Sequence, residues 1–214
     1  MITTEDIGKI TKAVKPLPDL AIKYLKNRGL EPTTDMGFIY EHKINDLQTP
    51  KLSISLPIRS LTGKIQGYEF RPISKLASDR YSKTFTDNLI AVYNIRNKNF
   101  SQKVIATEGI FDCESIYQGS NLNVIALLKA TPANHILHIL AFMYIEIRLV
   151  LDSDVVGLKG AKNIKKFFKE FYPDIEVIMY NISDYTKNKN IKDPNDLKVK
   201  DPSGFKKLIK DLQK

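Results

Sequence analysis

The stretch RLVLDSDVVGLKGA narrows the choice of fold more than any other part of the chain. Leu149, Val150 and Leu151 form a continuous apolar run, the pattern of a strand buried on both faces, and such strands belong to parallel sheets covered by helices. Asp152 and Asp154 follow at once, separated only by Ser153. The stretch from Val156 to Gly160 then reads as the opening of a helix. Both carboxylates therefore fall just past the carboxyl end of a strand, where open α/β sheets hold their ligands. Alternation along extended backbone points Asp152 and Asp154 one way and Ser153 the other. Two anions held so close repel, and a cation relieves them.

The flanking sequence repeats the alternation of strand and helix. KVIAT and NVIALL read as strands around a short helix, DCESIYQ, that stops at Gly119. PANHILHILAFMY reads as a second helix before the strand IEIRLVL, GLKGAKNIKKFFKEFY as a strongly amphipathic third, IEVIMY as a further strand and SGFKKLIKDLQK as a closing helix. This rhythm predicts a mostly parallel sheet with right-handed crossovers. The first hundred residues differ. PLPDLAIKYLKNRGL sets Leu17, Leu20, Ala21, Tyr24 and Leu25 at helical spacing, with Asp19 near the start and Gly29 as the stop. SISLPIRSLTGKIQGYEFRPIS reads as a hairpin turning at Thr62-Gly63, and KLASDRYSKTF as a polar, basic loop. The expected organisation is a small basic α+β lobe over residues 1–100 and an α/β domain over 101–214. The boundary falls in NIRNKNFSQ, between Asn94 and Gln102.

At 214 residues the chain can bury a sound core, and its net charge of +9 is concentrated early. Residues 1–100 hold sixteen basic against ten acidic side chains, the rest seventeen against fourteen. A polyanionic partner, nucleic acid or nucleotides, is the natural expectation. No apolar run of about 20 residues occurs and MITTEDIGKI lacks an apolar signal core, so the sequence predicts a soluble cytoplasmic protein without membrane contact. Cys113 is the sole cysteine, which excludes an intrachain disulfide and any Cys-rich zinc ribbon within the chain.

A second strand ends as LVLDSD does. VIAT runs into Glu108-Gly109, with Asp112 close behind, and IKDPNDL adds Asp193 and Asp196 in what reads as a loop. If the strands before Glu108 and Asp152 are neighbours, three carboxylates meet at one sheet edge. Oxygen donors without His or Cys favour Mg²⁺ or Mn²⁺ over zinc, and such ions serve phosphoryl transfer. Acids after strands are also common as loop residues and helix caps. One such motif would carry little; three in order carry more. A calcium loop of the EF-hand kind fails, because Val156 holds a ligand position and Asn163 stands where the bidentate Glu belongs. The DxDxV nucleophile motif of haloacid-dehalogenase-type phosphatases is passable, with only 60 residues left for that family's later motifs.

TEGIFDCESIYQ, LVLDSDVVGLKGA and KDPNDL together closely resemble the TOPRIM domain of bacterial primases, topoisomerases and some nucleases. The first half extends the resemblance to DnaG-type primase catalytic cores of bacteria and phages. YLKNRGL resembles that family's YLxxRG element, LPIRSLTGKIQGYEFRPIS its PIxDxxGxxxGFxxR segment, RYSKTF its KYxNSP stretch and LIAVYNI the segment before TOPRIM. The likeness covers about residues 17–210. It implies a basic α+β lobe followed by a Rossmann-like TOPRIM domain, with Glu108, Asp112, Asp152, Asp154 and Asp193 as the catalytic acids. Of these Glu108, Asp152 and Asp154 would hold Mg²⁺ or Mn²⁺, while Arg71, Arg80 and Lys83 match positions that hold nucleotide and template phosphates. Asn195 departs from the family's DPD motif, where a second acid stands, and Asp196 is its potential substitute.

The activity so implied is synthesis of short RNA primers on single-stranded DNA from ribonucleoside triphosphates, in a bacterial or phage-infected cytoplasm. The family's zinc ribbon and helicase-contacting domain have no counterpart in these residues, so a separate zinc-ribbon subunit or a replicative helicase is the expected further partner. Two rivals share the acids: a TOPRIM nuclease, and a non-catalytic nucleic-acid-binding accessory protein. His135 and His138 read as packing residues, Cys113 as structural, and the KKFFKEF stripe as core-facing, with nucleic-acid contact by its lysines the weaker reading. Tyr68, Phe70 and Tyr81 alternate with basic residues and suit either base stacking or strand packing.

Overall fold

The structure is a computed structural model and describes residues 3–40, 43–44, 47–48, 52–60, 63–73, 82–85, 93 and 101–214, those at 43–48 and 82–85 by backbone alone. The chain divides into two compact units, Met1–Ala91 and Val92–Lys214. Residues 94–100, within the boundary segment read from the sequence, lie outside the described residues.

In the first unit, α1 (Thr4–Ala13) opens on a capping box: the Asp6 N–H donates to Thr3 Oγ1 at 3.2 Å and the Thr3 N–H to Asp6 Oδ2 at 3.0 Å. Two donors that a helix start leaves unsatisfied are thereby paired. Helix α2 (Asp19–Asn27) is the one the LAIKYL spacing predicts, and it stops where Gly29 adopts a φ of 66°. Strands β1 (Gly37–Ile39), β2 (Lys43–Ile44), β3 (Leu47–Gln48), β4 (Ser53–Arg59), β5 (Ile65–Pro72) and β6 (Ser82–Phe85) follow. Four of them form an antiparallel sheet in the order β1-β4-β5-β6, while β2 pairs with β3. The β4–β5 hairpin forms as read, with Gly63 at φ 81° and its N–H bonded to Ser60 O at 2.9 Å.

Strand β6 departs from the sequence reading, which makes KLASDRYSKTF a loop. Ser82–Phe85 pairs with Gly67–Phe70, because β5 offers an open edge and an extended backbone needs only a partner, whatever the polarity of its side chains. Tyr68 and Phe70 pack against Ile7 and Ile10 of α1 and Ile39 of β1, and the Tyr68 hydroxyl donates to Thr11 Oγ1 at 2.9 Å. Both aromatics are therefore core residues rather than stacking platforms. Tyr81 lies outside the described residues.

The second unit runs β7 (Lys103–Thr107), α3 (Ile110–Ser120), β8 (Val124–Ala126), α4 (Asn134–Met143), β9 (Glu146–Val150), α5 (Val155–Phe171), β10 (Glu176–Met179), a 3-10 turn at Ile182–Asp184, α6 (Pro194–Lys200) and α7 (Pro202–Leu212). All four strands are parallel, in the order β10-β9-β7-β8. Val104, Ala106, Ile147, Leu149 and Val177 on one sheet face pack with Leu137 and Leu140 of α4 and Ile164, Phe167 and Phe168 of α5. On β7 and β8 the covering helix is α3, which also meets α6 and α7. His138 serves packing, with Nδ1 2.7 Å from the Tyr172 hydroxyl and its ring edge-on to Phe167. Cys113 is buried, with Sγ 3.5 Å from Val124 O.

Helix α3 does not stop at Gly119. It continues to Ser120, and Asn121 takes the left-handed cap at φ 55°. A side chain on Gly119 would come within 2.9 Å of the Phe205 ring of α7, so that glycine serves helix packing instead. At the amino ends of the strands the Glu146 carboxylate accepts from Lys103 Nζ at 2.7 Å and Arg148 Nε at 2.5 Å. Arg148 Nη1 donates to Leu212 O at 2.7 Å and so fastens the end of α7 to the sheet.

Candidate active site

The chain leaves β7 toward β8 on one side, then crosses back to place β9 and β10 on the other. The reversal falls between β7 and β9, and the crevice at the carboxyl ends of such a pair is where open α/β sheets bind ligands. Thr107 pairs with Val150, so Glu108 and Asp152 emerge from adjacent strands within one residue of the same level. The adjacency that the sequence reading requires of these strands is present.

Local hydrogen bonds hold each acidic segment. Thr107 Oγ1, fully buried, donates toward Gly109 O at 3.1 Å and Ile125 O at 3.2 Å, fixing the turn that carries Glu108. Asp154 caps α5, its Oδ1 accepting from the N–H groups of Val156 and Gly157 at 2.9 Å each. Gly157 is required by space, since a Cβ there would lie 2.1 Å from Asp152 O. Ser153 turns away from the acids, as alternation predicts. Its hydroxyl donates to Asn181 Oδ1 at 2.6 Å and accepts from the Ile182 N–H at 2.8 Å, and its own N–H donates to Lys192 O at 2.8 Å. That last bond stitches the segment before Asp193 to the end of β9. Ser153, Asn181 and Lys192 are thus site-building residues that the sequence reading misses, because their pairings span 28 to 39 positions.

The KDPND segment is not a loop. Asp193 is the N-cap of α6, accepting from the Asp196 N–H at 2.6 Å, with Pro194 in the first turn. Asn195 is fully buried; its N–H donates to Asp112 Oδ1 at 3.1 Å and its Nδ2 to Ser115 Oγ at 2.9 Å. The residue that stands where the DPD motif has an acid therefore ties α6 to α3. Asp112, itself buried, is engaged in that tie, and Asp196 is bonded to Lys200 Nζ at 2.5 Å.

Burial pushes the Asp152 carboxyl up to about 7, and the charges of Glu108, Asp193, Asp154 and Asp196 add to the rise, in that order. All three acidic motifs thus act on one carboxyl. Among the described residues no three His, Cys, Asp or Glu side chains converge closely enough to enclose an ion. The donor set nevertheless suits a hard dication: oxygen ligands only, and an excess of negative charge that a cation would relieve. Arg71 lies in the first unit, its Nε held by the buried Glu69 carboxylate at 2.8 Å. Arg80 and the side chain of Lys83 lie outside the described residues. Among the described residues no helix is long and apolar enough to cross a membrane.

No sequence family and no curated protein matches the chain. Solved structures do. A DnaG primase catalytic domain bound to single-stranded DNA superposes with a TM-score of 0.71 at 14% identity, over 96% of this chain and 76% of that one. The zinc-binding and RNA polymerase domains of the Aquifex aeolicus primase match with a TM-score of 0.70 at 16% identity, over 89% of this chain, which spans 55% of their length. The primase fragment of the bacteriophage T7 primase-helicase matches with 0.56 at 15% identity, over 92% of this chain and 73% of that one.

Proposed function

We propose that this chain, which has the fold of a DnaG-type primase catalytic core, makes RNA primers on single-stranded DNA by metal-assisted nucleotidyl transfer. The observation that carries the reading is that Glu108 and Asp152 emerge from the paired strands β7 and β9 at the switch point, with the segment before Asp193 bonded to Ser153 beside them. Glu108, Asp152 and Asp154 would hold Mg²⁺ or Mn²⁺, with Asp193 beside them. An ion bound there would supply charge to offset that on the α-phosphate and on the departing pyrophosphate. The residues of the chain supply position and charge. Asp154 commits Oδ1 to the cap of α5, which fixes the carboxylate's orientation. Asp152, whose carboxyl is held up by burial and its acidic neighbours, would ionise more readily beside a bound cation. Asn195 and Asp112 hold α6 in place, and with it Asp193. Arg71, Arg80 and Lys83 would neutralise triphosphate and template phosphates. A zinc ribbon or a replicative helicase would work with these residues; the T7 structure is a fragment of a primase-helicase protein.

The test is incubation with single-stranded DNA, labelled ribonucleotides and Mg²⁺ or Mn²⁺, beside the Asp152→Ala/Asp154→Ala variant. Short RNAs from the unmutated chain alone would support the reading. Shortening of the DNA without RNA product would replace it with a nuclease.

A further inference from the structure

Helix α5, which Asp154 caps, carries Lys159, Lys162, Lys165, Lys166 and Lys169, all exposed. At about 100° per residue the five fall within about 120° of arc, opposite the buried Ile164, Phe167 and Phe168. Val155, 83% exposed, lies in the same arc at the acid end. The only acid on the helix, Glu170, stands at its far end and outside that arc.

Some lysines on other helices are paired locally, Lys9 with Glu5 on α1 and Lys200 with Asp196 on α6. Among the described residues none of the five α5 lysines makes an ion pair. They are instead stacked on one another, 159 on 162, 162 on 165 and 166, and 169 on 165 and 166, and like charges at these spacings weaken a helix. Gly157 and Gly160 weaken it further. Burial of the opposite face explains why the helix forms, but not why one sign of charge is gathered without relief on the exposed face.

We infer that the exposed face of α5 is a track for the phosphate backbone of single-stranded nucleic acid, entering or leaving the carboxylate site at Asp154. The inference rests on the proposed function and extends it. Lysines 159 to 169 span about 15 Å at 1.5 Å per residue, enough for two to four consecutive phosphates. A nucleic acid is favoured over an acidic protein because the stripe starts at acids suited to a metal that acts on phosphates. Contacts through lysine alone read no sequence, which suits a strand of any sequence sliding past a fixed site.

The experiment measures binding of a fluorescent single-stranded oligonucleotide across a salt series, for the full chain and for the Lys159→Gln/Lys162→Gln/Lys166→Gln/Lys169→Gln variant. The variant should bind at least about tenfold more weakly near 0.1 M salt, and the log–log salt slope should flatten by about 0.7 for each phosphate that a lysine no longer neutralises. Its melting temperature should equal or exceed that of the unmutated chain, since the substitutions relieve like-charge repulsion, and the rise produced by Mg²⁺ should match, since these side chains do not belong to the acidic site. Equal affinity and slope in variant and parent, with binding by the parent intact, would overturn the track and leave the proposed function standing. No binding of single strands by the parent would overturn both.

Discussion

Replacing Asp152 by Asn tests the electrostatics of the site without reference to catalysis. Burial and four neighbouring carboxylates raise this carboxyl from 3.8 to about 7. The sign follows from linkage: the folded state holds the proton more tightly than the unfolded chain, so stability falls as pH rises between the two values. Below about pH 4 both states are protonated and the charge costs nothing. Above pH 7 both are ionised and the full penalty applies. A shift of about three units at 1.36 kcal/mol each sets an upper limit of about 4 kcal/mol, and solvent screening of a partly exposed group lowers it to about 2. Asp152→Asn should therefore unfold at a higher denaturant concentration than the parent at pH 8, by about 2 kcal/mol, and at nearly the same concentration at pH 4. Millimolar Mg²⁺ should narrow the gap at pH 8 by stabilising the parent alone. A difference between the two proteins that does not vary with pH would refute the reasoning.

Gly157→Ala should cost about 1–3 kcal/mol in thermal or urea unfolding, because a Cβ 2.1 Å from Asp152 O forces α5 away from β9; Gly8→Ala, with nothing within 4 Å, should instead be neutral or stabilise by up to about 1 kcal/mol. Asn195→Asp restores the acid of the DPD motif in sequence, yet it places a charge in a fully buried position bonded to Asp112, so it should destabilise by about 2 kcal/mol or more and raise no activity. Glu146→Gln leaves Arg148 buried without its anion and should cost about 3 kcal/mol at pH 7. Burial raises the Glu146 carboxyl, but Lys103 and Arg148 outweigh it and hold it below the usual range, so its contribution is present above about pH 4.5 and lost as pH falls further; circular dichroism melts of parent and variant should converge in acid.

Much of the site is legible in the sequence because its parts are local. An apolar run that halts at an acid marks a strand end, and period two alone puts Ser153 on the other side from Asp152 and Asp154. The hairpin around Gly63 and the stop at Gly29 are equally local, each set by a glycine with positive φ. What escapes is of two kinds. Some signals are present but outweighed: Asp193-Pro194 has the cap and first-turn chemistry of a helix, and the polar KDPND composition conceals it. Others have no local signal. Ser82–Phe85 becomes a strand only because β5 has an edge to offer, and Asn195 looks like a missing ligand until α3 is seen against it. The stitch from Ser153 to Lys192 is likewise tertiary, and it is what brings the third acidic motif to the first two.

The most direct test of the account is the coupling of pyrophosphate release to phosphodiester formation on single-stranded DNA in Mg²⁺, for the parent and for Asp152→Asn. The parent should release one pyrophosphate per bond made and yield RNA complementary to the template, and a folded Asp152→Asn should lose both signals. Pyrophosphate or RNA produced equally by both proteins would contradict the account.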